Sequence, residues 1–252
     1  MMKFIYFLFF FSIMLFMRQS YCADLETKPE KYNFSFNKFY GKIDKNSAQR
    51  GLQVYVEICS SCHSLKHLAF RNLSEIGYNK SQISAIAAQF MVDAIPNEEG
   101  LVEKRMAKAS DYFTGPYDND ESAKAANNGA YPPDLTLMVK ARKDGPSYLR
   151  SLLLGYEEPP DNIDVGEGYY NKYMPGKIIA MPQPLYGEDV EYQDGTSPTL
   201  EQEVLDLVTF LTWASMPEME KRRISGIKVV LFLLAMTFLF YLSYRKIWSE
   251  IK

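Results

Sequence analysis

The sequence predicts a mostly α-helical domain with long loops and one C-terminal membrane helix. Apolar residues recur at helical spacing in several stretches, Pro and Gly break the chain between them, and the run Val229–Tyr244 carries no charge. The chain has 252 residues, 47% hydrophobic and 23% charged, which fits one domain with a sizeable core plus appendages. Its net charge of −3 argues against a nucleic-acid partner and permits a basic protein partner.

Residues 1–22 are predicted to be a signal peptide. Lys3 precedes the apolar run Phe4–Met17, which as a helix is about 21 Å long and too short for the roughly 30 Å hydrocarbon core. Small residues follow, so we expect cleavage after Cys22 or Ala23, with an uncleaved anchor as the alternative. Because the segment is too short and too poor in Arg for a mitochondrial transit peptide, a bacterial export route is favoured.

The motif Cys59-Ser60-Ser61-Cys62-His63 lies early in the predicted domain, residues 23–223. Two thiols and an imidazole at C-x-x-C-H spacing are the attachment signature of a c-type haem. The spacing lets both sulfurs form thioethers with one porphyrin and puts His63 beneath the iron as an axial ligand. The sequence therefore predicts one haem c, bound covalently through Cys59 and Cys62.

Three other chemistries use similar motifs. A thioredoxin-like dithiol needs a βαβ setting, which the sequence does not show. A zinc site of Cys59, Cys62, His63 and His67 would occupy nine consecutive residues, whereas zinc ligands usually come in two separated pairs. A structural disulfide gives His63 no role. Haem is the favoured interpretation.

Helical spacing predicts a helix from Ala48 to Cys59, which places the motif at its C-terminal end. Further helices are predicted over Leu65–Leu73, Ser81–Met91 and Leu101–Ala109. The segment Asp111–Ala130 is predicted to be a loop, because Gly, Pro and Asn interrupt it.

The next two helices carry clear boundary signals. Asp134 is expected to cap a helix from Leu135 to about Lys143. Pro146 is typical of the first turn of a helix, here Ser147–Leu154, and Gly155 lies just past its end.

The last part of the domain is a long loop followed by one helix. The loop, Tyr156–Tyr173, is rich in Glu, Asp, Pro, Gly and Tyr. Thr199 and Gln202 have the spacing of a capping box at the start of the final helix, and Pro217 ends it.

The segment 224–244 is predicted to span the membrane. It supplies about 21 residues if Lys228 extends its ammonium group to the interface. Arg245 and Trp248 follow as interfacial anchors. Basic residues flank both ends, so the signal peptide sets the orientation, with the domain in the periplasm and the tail, residues 245–252, in the cytoplasm.

An electron-carrying haem needs a second strong axial ligand, and a thioether opposite histidine raises the reduction potential. The other histidine of the mature chain, His67, lies one turn beyond His63 and cannot reach the opposite face. Met174 and Met181 each precede a proline, which favours an extended backbone in a loop. Spacing alone divides the choice evenly between the two methionines.

Several sequence blocks follow one another in a characteristic order. They are Gln49–Tyr55, Cys59–Ser64, Ala126–Leu135, Lys140–Arg142, Tyr148, Ser151–Leu153, Gly155–Pro160, Pro175–Met181 with Pro184 and Leu185, and Phe210–Ser215. With these blocks, over nearly all of its mature length, the chain resembles the cytochrome c1 family, the haem subunits of ubiquinol–cytochrome c reductase (the cytochrome bc1 complex).

The resemblance implies roles for particular residues. The family's axial methionine stands in an Ala-Met-x-x-Pro-Leu block, which here makes Met181 the ligand and Met174 a packing residue. The metal ligands implied are thus His63 and Met181. Arg142 matches an arginine close to a haem propionate, where it would form a charge-assisted hydrogen bond, and Tyr148 is a weaker match for the same environment.

The resemblance also implies a fold and a function. The fold is a class I cytochrome c-like domain with long loop insertions. The function is one-electron transfer from the Rieske iron–sulfur protein to a soluble or membrane-bound cytochrome c, with no bond-making catalysis by this chain. The implied partners are the cytochrome b and Rieske subunits, in a dimeric complex.

Two other functions compete with this one. The first is a membrane-anchored monohaem cytochrome c that donates to a terminal oxidase outside a bc1 complex. The second is a peroxidase or gas sensor, which needs an open iron site. Two acidic groups in the loops are interpreted either as solvated surface or as an electrostatic guide for a basic cytochrome c. They are Glu157, Glu158, Asp161, Asp164 and Glu167, and Glu188, Asp189, Glu191 and Asp194.

Overall fold

The structure is a computed structural model that describes residues 27–38 and 40–249, so the predicted signal peptide lies outside it. Its helices are α1 (Lys45–Glu57), α2 (Lys80–Ala87), α3 (Asp120–Ala126), α4 (Met138–Ala141), α5 (Gly145–Leu154), α6 (Leu200–Ser215) and α7 (Met219–Ser249). Short 3₁₀ helices cover Ser35–Asn37, Cys59–Ser61 and Phe70–Ile76. The predicted mostly helical class is confirmed.

Within residues 27–38 and 40–249, three short antiparallel strand pairs accompany the helices. They are β1 (Leu65–Ala69) with β4 (Tyr112–Phe113), β2 (Met91–Asp93) with β3 (Lys104–Met106), and β5 (Tyr169–Tyr170) with β6 (Ile178–Ile179).

Helices α1 and α6 cross at the centre of the domain. A Cβ atom at Gly51 would lie 2.0 Å from the carbonyl oxygen of Asp206, so only glycine permits this approach. The Asp206 carboxylate is fully buried and accepts hydrogen bonds from Ser47 Oγ at 2.6 Å and Arg50 Nε at 2.8 Å. Tyr55 and Phe210 pack beside the crossing with no exposed surface. The start of α1 is thereby fixed, and its other end carries the cysteine motif.

The helix predicted over Leu65–Leu73 is wrong. The segment forms strand β1 and then a 3₁₀ helix, in which the N–H groups of Phe70 and Arg71 donate to the carbonyl oxygens of Asp111 and Ala109. In a short apolar run, the spacing of the apolar residues does not distinguish a helix from a buried strand. Here, pairing with a distant segment makes the run a strand.

The helix predicted over Leu101–Ala109 is also wrong, because β3 pairs with β2 in a hairpin. The tip is shaped by Asn97, whose side chain accepts hydrogen bonds from the N–H groups of Glu99 and Leu101. Since Met91 belongs to β2, the helix predicted to end there stops at Ala87.

The predicted loop Asp111–Ala130 contains β4 and α3, and Asn119 caps α3 by accepting a hydrogen bond from Ser122 N at 2.8 Å. In the segment Leu135–Lys143 only α4 is helical. Helix α5 has Pro146 in its first turn and Gly155 after its end, as predicted.

Helix α6 is capped by Thr199, whose hydroxyl accepts a hydrogen bond from Gln202 N at 3.3 Å, as the sequence predicts. Helix α7 contains the predicted span 224–244 and extends beyond it at both ends. Within the described residues it is the one helix long and apolar enough to cross a membrane. Its base is fixed to the domain, because Arg223 Nη1 donates to the Gly41 carbonyl oxygen at 2.7 Å.

Candidate haem-binding site

The cysteine motif lies in a tight turn directly after α1. The N–H groups of Cys62 and His63 both donate to the carbonyl oxygen of Cys59, at 3.1 and 2.8 Å. Ser60 Oγ donates to the Val56 carbonyl oxygen at 2.7 Å, which satisfies an acceptor at the helix end. The turn therefore presents the side chains of Cys59, Cys62 and His63 from one short segment of backbone.

Both cysteines are free thiols, so the disulfide alternative has no support. Burial, together with the neighbouring Cys62, raises the pKa of Cys59 to about 12. The hydroxyl of Tyr117 lies 3.8 Å from Cys62 Sγ and accepts a hydrogen bond from Asn127 Nδ2 at 3.0 Å. Sequence reasoning did not single out this tyrosine, because no local spacing connects it to the motif.

The imidazole of His63 is oriented by a backbone carbonyl. His63 Nδ1 lies 2.7 Å from the carbonyl oxygen of Pro133. A carbonyl oxygen only accepts, so Nδ1 carries the proton and Nε2 keeps the lone pair that binds a metal. Burial lowers the pKa of His63, which favours the neutral, ligating form.

Asp134 holds the Pro133 carbonyl against His63. Its carboxylate accepts hydrogen bonds from Ser64 Oγ at 2.8 Å, Lys66 N at 2.7 Å and Thr136 N at 3.0 Å. Burial opposes ionisation, but these hydrogen bonds prevail and hold the pKa of Asp134 below its ordinary value. Asp134 was predicted to cap a helix beginning at Leu135, but helix α4 begins at Met138, and the Asp134 carboxylate instead joins two segments of the chain.

The zinc alternative also loses its support. His67 lies exposed on β1, with its backbone N–H directed at Thr136 Oγ1. Across residues 27–38 and 40–249, no three His, Cys, Asp or Glu side chains form a group that could hold a metal ion.

Met181 follows the hairpin β5–β6 and packs, partly buried, against the core. Its carbonyl oxygen accepts a hydrogen bond from the Tyr156 hydroxyl at 3.0 Å. Leu185, four positions later, has no exposed surface. The loop that carries Met181 is thus fixed on both sides and in the middle.

Met174 has different surroundings. It lies in the turn between β5 and β6, and its sulfur is 3.9 Å from the hydroxyl of Tyr148. Arg142 is exposed, and its Nη1 donates to the Ala141 carbonyl oxygen at 3.3 Å. Burial raises the pKa of Tyr148, and the nearby Arg142 guanidinium partly offsets this. Arg142, Tyr148 and Met174 therefore form one group.

The residues present fit a c-type haem. Two free thiols, one imidazole with an available Nε2 and a methionine in a supported loop are the donor types that such a group requires.

Comparison with known proteins gives the family. A sequence model described as the Cytochrome C1 family matches residues 34–251. "Cytochrome c1 2, heme protein, mitochondrial" of Arabidopsis thaliana is 46% identical over 223 residues, 88% of this chain and 72% of that protein. "Cytochrome b-c1 complex catalytic subunit, mitochondrial" of Candida albicans is 44% identical over 226 residues, 89% of this chain and 78% of that protein.

A bacterial protein is similar as well. "Cytochrome b/c1" of Bradyrhizobium diazoefficiens is 40% identical over 246 residues, which is 88% of this chain but only 36% of that protein. The chain therefore belongs to the Cytochrome C1 family, a family of respiratory electron-transfer haem proteins.

Proposed function

We propose that this chain carries single electrons from a Rieske iron–sulfur protein to a cytochrome c, through one haem c attached at Cys59 and Cys62. The observation that carries the proposal is the 2.7 Å contact between His63 Nδ1 and the Pro133 carbonyl oxygen. It orients a neutral imidazole beside two free thiols, the arrangement that a covalently attached, histidine-ligated haem needs.

His63 Nε2 and Met181 Sδ would hold the haem iron. Two contacts favour Met181 over Met174. The Tyr148 hydroxyl is directed at the sulfur of Met174, whereas the Tyr156 hydroxyl bonds the backbone of Met181 and leaves its sulfur for the metal. Met174 is also confined to a tight turn, because Lys177 N donates to its carbonyl oxygen at 2.8 Å.

Arg142 is proposed to pair with a haem propionate. Its guanidinium is exposed, interacts with the Tyr148 hydroxyl and donates to the Ala141 carbonyl oxygen at 3.3 Å. An arginine with free donors can form the bidentate hydrogen bonds that a carboxylate accepts.

A bound haem c supplies one reversible electron, and the protein supplies its environment. Burial keeps His63 neutral, and the Pro133 carbonyl, which Asp134 holds in place, orients the ring, so that no proton has to move at Nδ1. The apolar core excludes water from the centre of the domain, with Leu52 and Leu65 among its buried side chains. Because the ligands are fixed and the core excludes water, the structure of the protein changes little when an electron is gained or lost.

The partners proposed are cytochrome b and the Rieske protein, in a dimeric membrane complex. The Candida albicans relative is named as a subunit of a cytochrome b-c1 complex. Helix α7 provides a membrane anchor, and its apolar side chains are exposed for contact with lipid or another subunit. We place residues 23–223 on the periplasmic side and 245–252 in the cytoplasm.

The acidic loops are proposed to guide a basic cytochrome c. Four of their carboxylates are already engaged: Glu157 pairs with Lys172, Asp194 pairs with Arg50, and Asp164 and Asp189 accept backbone hydrogen bonds. The exposed ones left for steering are Glu158, Asp161, Glu167, Glu188 and Glu191.

Purification of the chain from membranes under mild detergent tests this function. We expect it to co-purify with cytochrome b and the Rieske protein and to be reduced by ubiquinol only when both are present. A haem-bearing chain that instead purifies with a terminal oxidase, and lacks both partners, would support the alternative of an oxidase-linked cytochrome.

A further inference from the structure

We propose that Tyr156 is a positioning residue that fixes the backbone of Met181 and so determines how firmly the Met181 sulfur stays on the haem iron. This inference rests on the proposed function, in which Met181 is an axial ligand. The observation behind it is the hydrogen bond from the Tyr156 hydroxyl to the Met181 carbonyl oxygen, 3.0 Å long across 25 positions of sequence.

Tyr156 is itself held rigidly at the end of α5. Gly155 before it packs so closely that a Cβ atom would lie 2.5 Å from Cδ2 of Tyr173. Tyr156 also forms a β-bridge with Asn171, a fully buried residue whose Nδ2 donates to the Leu152 carbonyl oxygen at 2.7 Å. The backbone of Tyr156 is therefore part of the rigid domain, and its ring extends from a fixed position.

The hydroxyl of Tyr156 is a permanent donor. A phenol keeps its proton at physiological pH, so the hydroxyl donates, and its acceptor is a carbonyl oxygen, which does not titrate. The contact thus holds the Met181 backbone.

Met181 needs such support because of the residues around it. Pro182 follows it and has no N–H group, so the loop cannot build a regular hydrogen-bond ladder there. Strand β6 ends two positions before Met181, and the buried Leu185 lies four positions after it. Between these two points, Tyr156 fixes the residue that carries the sulfur.

The test is imidazole binding to the oxidised full-length protein in its membrane complex. Binding is monitored through the visible absorption spectrum. Imidazole nitrogen binds the iron as the methionine sulfur leaves, with no change in oxidation state. Tyr156→Phe removes only the hydroxyl, and loss of one neutral hydrogen bond shifts an equilibrium by about 2- to 10-fold. We expect the imidazole affinity to rise by this factor and the far-red absorption band of the methionine-ligated ferric haem to weaken.

Tyr173→Phe is the matched control. It removes a hydroxyl from the same loop region, but that hydroxyl bonds Glu30 Oε1 at 2.9 Å and does not touch Met181. Its imidazole affinity should equal that of the wild type. Equal affinities in Tyr156→Phe and wild type would overturn the inference.

Met181→Leu separates the two claims. If it abolishes the far-red band while Tyr156→Phe changes nothing, the ligand assignment stands and the role of Tyr156 is wrong. If Met181→Leu leaves the band intact, the ligand assignment itself is wrong. Should Tyr156→Phe fail to accumulate, Asn171→Ser provides a second variant, because it weakens the packing that holds the Tyr156 backbone. An unchanged imidazole affinity in that variant contradicts the proposal.

Discussion

His63 Nδ1 and the carbonyl oxygen of Pro133 lie 2.7 Å apart, and Asp134 fixes that carbonyl by accepting hydrogen bonds from the segment that follows His63. The two halves of the site, 70 positions apart in the sequence, are thereby joined through the Asp134 carboxylate, and Leu135 N adds a hydrogen bond to the Ser64 carbonyl oxygen at 2.9 Å. The junction orients the imidazole, because it holds the carbonyl oxygen to which His63 Nδ1 donates.

Replacing Asp134 with Asn should loosen the junction. An amide has one acceptor oxygen instead of two, so at least one of the donors Ser64 Oγ, Lys66 N and Thr136 N loses its partner. We expect the free energy of unfolding to fall by about 1–3 kcal/mol, measured by haem absorbance during denaturation. Asp161→Asn, in an exposed loop, is the control. Equal stability of the two variants would show that Asp134 is not a structural link.

The two methionines differ in the expected effect on reduction potential. Met181→Leu should lower the potential by at least about 59 mV, a tenfold change in a one-electron equilibrium, because a thioether opposite histidine raises it. Met174→Leu should leave it nearly unchanged, since Met174 lies in the β5–β6 turn beside Tyr148. Redox titration of both variants measures the two potentials. A lower potential in Met174→Leu and an unchanged one in Met181→Leu would identify Met174 as the ligand.

The buried Glu203 should make stability depend on pH. Its Oε1 accepts hydrogen bonds from Asp189 N and Val190 N, while its Oε2 is buried without a partner in the described structure. Burial raises the pKa of Glu203 from 4.5 to about 7, and the facing Asp189 carboxylate adds to the rise. Tyr192 also lies near by, and the Glu203 carboxylate helps to raise its pKa.

The sign follows from the raised pKa. Between about pH 4.5 and 7 the folded protein keeps a proton that the unfolded chain releases, so the contribution of Glu203 to stability is present at low pH and is lost as the pH rises through about 7. Glu203→Gln should remove this decline, and its stability relative to wild type should rise across that interval. Glu201→Gln, an exposed position on the same helix, should keep the wild-type profile. Parallel profiles for wild type and Glu203→Gln would contradict the prediction.

Gly51 and Gly226 offer a matched pair of helical glycines. A Cβ atom at Gly51 would lie 2.0 Å from the Asp206 carbonyl oxygen, whereas at Gly226 it would meet nothing within 4 Å. Gly51→Ala should therefore separate α1 from α6 and prevent normal accumulation of the folded protein. Gly226→Ala should be neutral or slightly stabilising, because alanine favours the helix by about 1 kcal/mol. Folded yield and thermal unfolding measure both, and normal folding of Gly51→Ala would show that the helices can move apart without cost.

The sequence predicted well where the chemistry is local. The spacing of Cys59, Cys62 and His63, the cap at Thr199 and the glycine after α5 each depend on a few neighbouring positions, and the structure has the turn, cap and helix end they imply. The strand pairs were missed, because Leu65–Ala69 and Lys104–Met106 are short and acquire strand structure from partners far along the chain.

The supports of the site were missed for a related reason. Tyr156 reaches Met181 across 25 positions, and Asp134 reaches Ser64 across 70. Neither contact leaves a period or a fixed spacing in the sequence. A buried hydrogen bond between distant segments is specified by the whole fold, so only the structure reveals which tyrosine or aspartate makes it.

Covalent attachment of haem at Cys59 and Cys62 is the central claim, and mass spectrometry of the haem-bearing peptide tests it most directly. We predict that a proteolytic peptide containing Cys59, Cys62 and His63 carries one haem that survives denaturation and acid–acetone extraction, joined through both sulfurs. A peptide recovered with both thiols unmodified, or oxidised to a disulfide, would contradict the account.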